Sequence, residues 1–484
     1  MRVRTLFAIL CMCLCVFPVM LVAQGTIIWA DTIDIGYYDD AFGVAVDNSN
    51  NIIVTGHCIV VFPPANYDYF TVKYDSNGTI QWADTLAYNH IDWARGIAVD
   101  NFNNIIVTGT TGEPYSDFDY FTVKYDSNGT IQWTDTIDNG LNDFAWGVAV
   151  DNSNNIIVTG VSDIGGDDYF TVKYDPNGTI LWADTIDNGG GETAYGVAVD
   201  NSNNIIITGT SEIGVDWDYF TVKYDSNGTI LWADTVDNGD EDEAWGVAVD
   251  NSNNIIVTGK SEIGVNWDYL TVKYDSNGTI LWADTIDNGA DDDAWSVAAD
   301  NSNNIIVTGE SNIGSNNDYF TVKYDSNGTI LWADTIDNGE HETARGVAVD
   351  GSNNIIVTGS SDIDGDYDLF TVKYAPYPGI SEDEGSDLHS GSALCDIYPN
   401  PFRDKVEIRL MIGDDRWKIE DISLRIYNVT GRCIRNFPIS NFQFPIRVSW
   451  DGRNNADEKV TSGVYFLKFN AGKYKETRQL LMID

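Results

Sequence analysis

Short runs of alternating apolar and polar residues recur about every 50 residues along most of this chain. Each repeat holds a Gly-Val-Ala-Val-Asp-like run, an Asn-Ile-Ile-Val-Thr-Gly run, a Phe-Thr-Val-Lys-Tyr run and a Gly-Thr-Ile-x-Trp run. Asn, Asp and Gly residues separate the runs, so each repeat predicts four short β-strands. Repeats of about 40 to 50 residues with four strands each are typical of propeller blades.

The tryptophan that ends each repeat gives the number of copies. It occurs at Trp29, Trp82, Trp133, Trp182, Trp232, Trp282 and Trp332. The chain enters on a single strand, Gly25–Thr32, and leaves the last copy after three strands, at Tyr374. One N-terminal and three C-terminal strands would complete a seventh blade and leave no long unpaired edge. We therefore predict an all-β fold with a seven-bladed β-propeller over residues 24–374.

The same alternation distributes side chains between the two faces of a blade. In the first repeat Phe70, Val72 and Tyr74 share one face, and Trp82 falls on the same side after the turn. Because the faces of neighbouring blades stack on each other, we expect this tryptophan to be packed core in every copy and not a platform for ligand.

One rim of the predicted propeller varies among the copies. The turns from the inner to the second strand and from the third to the outer strand are nearly invariant, whereas the other two connections differ in length and chemistry. Loops that vary on one face of a rigid scaffold are where recognition is usually placed.

A single position on that rim stands immediately before each inner strand. Symmetry would set its seven side chains around the mouth of the central channel: Phe42, Arg95, Trp146, Tyr195, Trp245, Trp295 and Arg345. Aromatic and Arg side chains are enriched in interaction hot spots. The sequence leaves two interpretations open, a ring that binds ligand and a set of side chains that plugs the channel.

Charge is distributed unevenly along the chain. Its 74 acidic and 27 basic residues give a formal net charge of −47, and residues 24–379 hold 58 of the acidic residues but 10 of the basic ones. A field of this sign disfavours nucleic acid and favours cations or basic partners. The acidic loops Asp240–Glu243, Asp291–Asp293 and Asp364–Asp368 admit calcium, although their spacing is not that of an EF-hand.

The sequence shows no assembled catalytic site. It contains no Cys-x-x-Cys, His-Glu-x-x-His or phosphate-loop motif, and its four histidines share no repeat position. We therefore expect no catalytic residues and no obligatory cofactor. Cys58, Cys395 and Cys433 are too few for a disulfide framework, and a pairing of Cys395 with Cys433 stays open.

The two ends of the chain differ from the repeats. Residues 1–23 carry Arg2 and Arg4 before an apolar stretch, which is typical of a secretory signal peptide, and no later segment is long and apolar enough to span a bilayer. Residues 375–394, rich in acidic residues, Ser and Gly, predict a linker. Residues 395–484 alternate as short strands and predict a small antiparallel β-sandwich.

Both parts of the chain resemble known families. The repeats over residues 25–374 resemble the seven-bladed β-propeller repeat of bacterial secreted proteins. The tail resembles the C-terminal sorting domain of type IX secretion cargo and the related immunoglobulin-like domain of the flagellar hook-capping protein. The motifs that carry this second resemblance are Tyr398–Phe402, Ile426–Arg432, Trp450–Arg453 and Ser462–Phe466.

The resemblance implies export by the signal peptide and then passage across an outer membrane, with the tail as the address read by the secretion machinery. We therefore expect a secreted or outer-surface bacterial protein. The last residues, Arg478–Asp484, lack the basic ending common in such tails. Whether the tail is cleaved or anchors the protein therefore stays open.

Two functions fit these observations. The favoured one is a non-enzymatic scaffold that binds a glycan, a protein or a matrix component on its variable rim. The alternative is a secreted glycan hydrolase or lyase with its site at the same channel mouth. The fold does not decide between them, because one fold hosts many activities.

Overall fold

The regular structure of the chain consists of β-strands throughout the described residues. A computed structural model describes residues 3–5, 25–36, 38–61, 66–113, 117–163, 165–214, 216–238, 241–312, 316–338, 340–363, 365–376, 393–398, 405–412, 422–428, 432–437, 446–455, 459–460, 463–471 and 474–482. The chain divides into two units, Met1–Pro378 and Gly379–Asp484. The all-β prediction is confirmed.

The first unit contains seven antiparallel blades of four strands. The inner strands are Asp39–Val46, Ile91–Val99, Asp143–Val150, Glu192–Val199, Asp242–Val249, Asp292–Ala299 and Glu342–Val349. The second strands are Ile52–Val61, Ile105–Gly112, Ile156–Asp163, Ile205–Ile213, Ile255–Ile263, Ile305–Asn312 and Ile355–Ile363. The third strands are Asn66–Tyr74, Phe118–Tyr125, Asp167–Tyr174, Asp216–Tyr224, Asn266–Tyr274, Asn317–Tyr324 and Asp366–Tyr374. The outer strands of blades 1 to 6 are Ile80–Leu86, Ile131–Ile137, Ile180–Ile186, Ile230–Asp237, Ile280–Ile286 and Ile330–Ile336.

The outer strand of blade 7 comes from the other end of the chain. Ile27–Ile33 pairs antiparallel with the third strand, Asp366–Tyr374. The seven-bladed propeller predicted from the repeats is thus the fold of this unit. A short strand, Val3–Thr5, runs parallel to Ile230–Asp237. The rest of the predicted signal peptide and most of the predicted linker lie outside the described residues.

Apolar side chains of neighbouring blades form a separate core at each junction. Between blades 1 and 2, Ile53 and Tyr69 pack with Ala94, Val107 and Phe121, all of them buried. Burial of one such large side chain stabilises the fold by about 1.5–3 kcal/mol. The Tyr69 hydroxyl also donates a hydrogen bond to the carbonyl oxygen of Phe121 at 3.2 Å. Each blade therefore depends on its neighbour for its buried surface.

The outer-strand tryptophans correct one expectation. Trp332 is buried, but the other six are only half-buried because they lie at the perimeter of the propeller. Trp29 packs on Tyr74 of the next blade with 5.7 Å between ring centroids. It also covers Gly78, whose positive φ of 85° favours glycine. The tryptophan therefore joins blades at their outer edge and is not deep core.

A buried ion pair explains why the Asp-Asn-Ser-Asn-Asn turn hardly varies. Asp47 accepts hydrogen bonds from the backbone N–H of Ser49 and Asn51 through one oxygen. Its other oxygen lies 2.8 Å from Lys73 Nζ of the third strand. The equivalent pairs in the other blades are Lys124–Asp100, Lys173–Asp151, Lys223–Asp200, Lys273–Asp250, Lys323–Asp300 and Lys373–Asp350.

The same turns form a closed circle of hydrogen bonds between blades. Asn103 has a positive φ of 64°, and its Oδ1 accepts a hydrogen bond from the backbone N–H of Asn48 in the preceding blade at 3.0 Å. The contact recurs at every junction and is completed where Gly351 N of blade 7 donates to Asn50 Oδ1 of blade 1 at 2.8 Å. The turn at each inner strand thus links its blade to the next.

The second unit consists of two antiparallel sheets. Three strands form one sheet, in the order Ala393–Tyr398, Val406–Ile412, Ile446–Trp450. Four strands form the other, in the order Cys433–Phe437, Ile422–Asn428, Gly463–Ala471, Tyr474–Met482. Buried Trp450 of the first sheet contacts buried Tyr465 of the second, with 5.0 Å between ring centroids. Cys433 is a free and exposed thiol, so it does not pair with Cys395.

Candidate functional site

A β-bulge places one side chain of every blade at the channel mouth. In blade 1 Ala41 pairs with Gly56 and Gly43 pairs with Thr55, so Phe42 is skipped. The pairing skips one residue at the same point in all seven inner strands: Phe42, Arg95, Trp146, Tyr195, Trp245, Trp295 and Arg345. A bulge re-aims the side chain of its extra residue. The seven residues that the sequence singled out are therefore equivalent in structure.

The bulge also explains the glycine of the Val-Thr-Gly run. A Cβ atom at Gly56 would lie 1.9 Å from the carbonyl oxygen of Asp40, which faces it across the bulge. The equivalent Gly209 faces the Thr193 carbonyl oxygen at 2.0 Å. No side chain fits at that distance. The bulge therefore requires glycine at the facing position, which explains why this glycine recurs with the bulge.

The seven bulge residues surround a single cavity of about 280 Å³. All seven are half-buried. The two residues that follow each of them complete the lining, for example Gly96 and Ile97 after Arg95. We call these seven residues the mouth ring. The structure thus brings together every site residue that the sequence predicted.

One arc of the mouth ring is aromatic. Tyr195 stacks on Trp245 with 3.9 Å between ring centroids, and Trp245 contacts Trp295 at 4.4 Å. Trp146 meets Tyr195 edge-on at 5.1 Å. Four consecutive blades therefore present a continuous aromatic surface to the cavity.

The other arc is cationic and closes the circle. The guanidinium of Arg345 lies 4.9 Å from the Trp295 ring centroid and 4.6 Å from that of Phe42. The guanidinium of Arg95 lies 3.9 Å from the Phe42 centroid and 4.7 Å from that of Trp146. Side chains therefore touch around the whole ring. They narrow the channel and still line its cavity.

The two arginines differ in their partners. Arg345 Nε lies 3.3 Å from Asp40 Oδ1. Arg95 forms neither an ion pair nor a hydrogen bond with any residue that the structure describes, although it lines the cavity. Burial, together with the nearby charge of Arg345, lowers the pKa of Arg95 to about 10. Arg95 thus stays charged at neutral pH. No acceptor among the described residues takes a hydrogen bond from its guanidinium.

Behind this arc lies a buried histidine that cannot exchange protons near neutral pH. His57 stacks on Phe42 with 5.4 Å between ring centroids. It is buried, and burial lowers its pKa to about 3. The imidazole is therefore neutral near pH 7 and supports the ring by packing.

A cluster missed by sequence reasoning lies beside the aromatic arc. Lys260 Nζ is 3.7 Å from both Glu243 Oε2 and Asp293 Oδ1, and it lies 4.3 Å from the Trp267 ring centroid. Burial raises the pKa of Asp293 to about 6, with Lys260 acting in the opposite sense. These four residues lie on four strands of two blades, and no local sequence pattern brings them together.

The basic residues of the propeller fall into two sets. Seven lysines are held in the buried pairs with Asp at the inner turns. The remaining three, Arg95, Lys260 and Arg345, all belong to the rim that carries the mouth ring. In a strongly acidic domain, every cation outside the Lys–Asp pairs thus lies at or beside the channel mouth.

The acidic loops named above contribute carboxylates to clusters formed by separate segments of the chain. Each contributes one carboxylate, from Asp242, Asp292 or Asp368, to a cluster whose other members come from different strands. Asp240 and Asp364 lie outside the described residues.

Comparison with known proteins identifies the tail. Residues 396–483 match the family model of the secretion system C-terminal sorting domain. The prediction of a type IX sorting domain is confirmed, and the protein is accordingly secreted, to the cell surface or beyond it. Among the described residues no helix is long and apolar enough to cross a membrane.

Part of the chain resembles a curated protein. Over 102 residues it is 32% identical to an uncharacterized WD repeat-containing protein of Acanthamoeba polyphaga mimivirus. The match covers 18% of this chain and 7% of that protein.

Several solved structures resemble this chain at low similarity. One is PorZ, an essential surface component of the type IX secretion system of Porphyromonas gingivalis, with 14% identity, a TM-score of 0.37, and coverage of 92% of this chain and 66% of PorZ. The WD40 domain of Neurospora crassa Pan2 has 10% identity and a TM-score of 0.44, over 73% of this chain and 96% of that domain. An ulvan lyase has 11% identity and a TM-score of 0.43, over 72% and 96%. Likenesses this distant carry no argument about function.

Proposed function

We propose that the propeller is an exported binding module whose mouth ring takes an acidic glycan. The observation that carries this proposal is Arg95, a half-buried residue whose guanidinium lines the cavity and has no described hydrogen-bonding partner. A carboxylate or sulfate group suits its planar fork of donors. Sugar rings have apolar faces that stack on the adjacent aromatic arc.

The balance of charge supports recognition at short range. The acidic surface repels anions at a distance, but salt screens exposed charges beyond about 8 Å at physiological ionic strength. Within the cavity Arg95 and Arg345 are the charged side chains of the ring. An anionic group is therefore favoured there and disfavoured elsewhere on the propeller.

The mouth ring itself supports binding better than catalysis. It contains no carboxylate, and the histidine behind it is buried and neutral. The alternative, a glycan hydrolase or lyase, would have to use the Glu243–Lys260–Asp293 cluster, where Asp293 has the raised pKa of a general acid.

Binding of uronate-bearing, sulfated and uncharged oligosaccharides to the full chain tests the proposal. Arg95→Met should weaken binding of the anionic glycan about tenfold or more, since a hydrogen bond to a charged group contributes about 1.5–3 kcal/mol. Lys260→Met removes the same charge outside the cavity lining and should leave affinity nearly unchanged. Equal losses in both variants, or preference for uncharged sugars or a protein ligand, would contradict an anion site at Arg95.

Product release from the same glycans tests the alternative. Turnover by the full chain that disappears in Asp293→Asn would make the protein an enzyme. Glycan binding without turnover leaves the binding module as its function.

A further inference from the structure

Groups of three carboxylates recur between blades on the rim that carries the mouth ring. Each group joins an Asp of the third strand and an Asp just after the outer strand of one blade to the first acidic residue of the inner strand of the next. One oxygen of each residue lies within 4.8 Å of the others in at least these five groups of described residues: Asp34, Asp39 and Asp368; Asp119, Asp138 and Asp143; Asp168, Asp187 and Glu192; Asp218, Asp237 and Asp242; Asp268, Asp287 and Asp292. We call these groups the junction triads.

At least three triads contain a buried carboxylate oxygen with no hydrogen-bonding partner among the described residues, on Asp39, Glu192 and Asp268. Asp268 is 3% exposed, and its Oδ1 accepts no hydrogen bond there. Asp39 is 1% exposed; its Oδ2 accepts from the backbone N–H of Ile35 at 2.6 Å, whereas its Oδ1 is unpartnered. A buried carboxylate oxygen without a donor is costly, so it points to a cation that would satisfy it.

The triad of Asp268, Asp287 and Asp292 shows how the charges interact. Burial raises the pKa of Asp268 to about 7, and the charges of Asp287 and Asp292 add to the shift. No ion pair with Lys or Arg is formed by these three carboxylates within the described part of the chain. Three mutually repelling carboxylates without a basic partner therefore occur at a junction that must stay packed.

We propose that the junction triads bind calcium ions, one in each triad, and so clamp neighbouring blades of the secreted propeller. Oxygen ligands at 2.3–2.6 Å from Ca²⁺ lie at most about 5 Å apart, and the oxygens of each triad lie within this span. One carboxylate of each triad, such as Asp187 or Asp287, is exposed or lies at the surface. That side gives the ion an entry path and room for water ligands.

The location also connects the ions with the mouth ring. The inner-strand acid of each triad stands three residues before a ring residue, as Asp39 precedes Phe42 and Asp292 precedes Trp295. Calcium at the triad would thus hold the start of the bulged strand in place. Extracellular modules bind calcium with dissociation constants of about 10⁻⁴ to 10⁻³ M, which suits a secreted protein.

The chain contains a natural control at the junction between blades 1 and 2. Asp68 and Asp92 occupy two of the three positions there, but exposed Ala87 replaces the middle Asp. Ala87→Asp therefore builds a triad without disturbing the core. Glu113→Gln changes an exposed acid at the same junction that belongs to none of the five triads.

Calcium titration of the chelator-treated full chain tests the proposal. Isothermal titration with CaCl₂ should give about five sites or more at up to millimolar calcium, and the melting temperature should rise more than with MgCl₂ or NaCl of equal ionic strength. Asp187→Asn and Asp287→Asn, isosteric changes at the exposed positions, should each remove one site. Ala87→Asp should add one, and Glu113→Gln should change nothing.

Two results would overturn the proposal. Stabilisation that NaCl reproduces in full would mean general charge screening or protonation of the triads and not specific ions. An unchanged number of sites in Asp187→Asn, Asp287→Asn and Ala87→Asp, with each variant folded by circular dichroism, would place any bound calcium elsewhere.

Discussion

Lys373 Nζ donates a hydrogen bond to the carbonyl oxygen of Ser76 at 3.1 Å and thereby joins the last blade to the first. The same lysine lies 2.9 Å from Asp350 Oδ2 in its own blade. Within the array Lys73 and Ser127 make the equivalent contact at 3.2 Å. The junction between the last blade and the first thus has the same hydrogen bond, from lysine to a turn carbonyl, as the junctions within the array.

Loss of the N-terminal strand should open this ring. A chain that lacks residues 1–36 loses Ile27–Ile33 and leaves the edge of Asp366–Tyr374 unpaired. We expect thermal unfolding to become broad or to end in aggregation. As a control, a chain that ends at residue 376 lacks only the second unit and should unfold as the full propeller does. A sharp and unshifted transition in the N-terminal deletion would contradict the closure.

Breaking one buried ion pair should cost far more stability than breaking an exposed one. Lys173→Met leaves the buried Asp151 carboxylate without its counter-ion, so we expect a loss of about 3–5 kcal/mol in the free energy of unfolding. Lys260→Met, whose pairs are longer and partly exposed, should cost about 1 kcal/mol or less. Urea denaturation of both variants measures the contrast. Similar losses would show that the Lys–Asp pairs do not hold the turns.

The same variant predicts a pH dependence. Burial would raise the pKa of Asp151, but hydrogen bonds from Asn155 and Lys173 outweigh it and hold this pKa below its usual value. The ionised carboxylate therefore contributes stability above its unfolded pKa of about 3.9, and this is lost as the pH falls through the folded pKa. In Lys173→Met, by contrast, protonation of Asp151 neutralises a buried carboxylate that has lost its counter-ion. The difference in the free energy of unfolding between wild type and variant should become smaller as the pH is lowered from about 7 to about 3. A difference that grows over this range would contradict the Lys173–Asp151 ion pair.

The glycine opposite the bulge should tolerate no side chain. Gly209→Ala places a Cβ atom 2.0 Å from the Thr193 carbonyl oxygen, so the bulge must shift, and we expect a loss of about 1–3 kcal/mol or more. Gly166→Ala adds the same methyl group at an exposed loop position with nothing within 4 Å. It should be neutral or slightly stabilising. Differential scanning calorimetry of the two variants measures this difference. Equal melting temperatures would contradict the close approach of Gly209 to the Thr193 carbonyl oxygen.

The repeat could be interpreted correctly from sequence because its signals are local. Strand alternation, the Asp-Ser-Asn-Gly turn and the spacing of Trp29 and its copies depend on residues a few positions apart. Counting the copies gave the number of blades, and comparing them placed Arg95 and Trp146 at equivalent positions. A local pattern did not show that these residues occupy bulges, because a bulge is defined by the partner strand.

Other features arose only when distant segments met. The sequence predicted that the outer-strand tryptophans are core, because alternation shows which side of the sheet a side chain is on but not how deeply it is buried. In the structure Trp182 is half-buried, whereas Trp332 is fully buried. The partner of Lys73 is a turn residue 26 positions earlier, Asp47, which strand pairing brings to 2.8 Å. Charge alone indicated an acidic surface but not its organisation.

The sequence by itself thus determined the strands, the turns, the number of blades and the position of the mouth ring, since period and turn chemistry act over a few residues. Only the tertiary structure decided which side chains meet. It brought Arg95 to the cavity without a described partner and gathered the carboxylates of Asp268, Asp287 and Asp292 from two strands and a connecting loop. Both outcomes depend on packing between blades, where distances are set by the closed ring and not by separation along the chain.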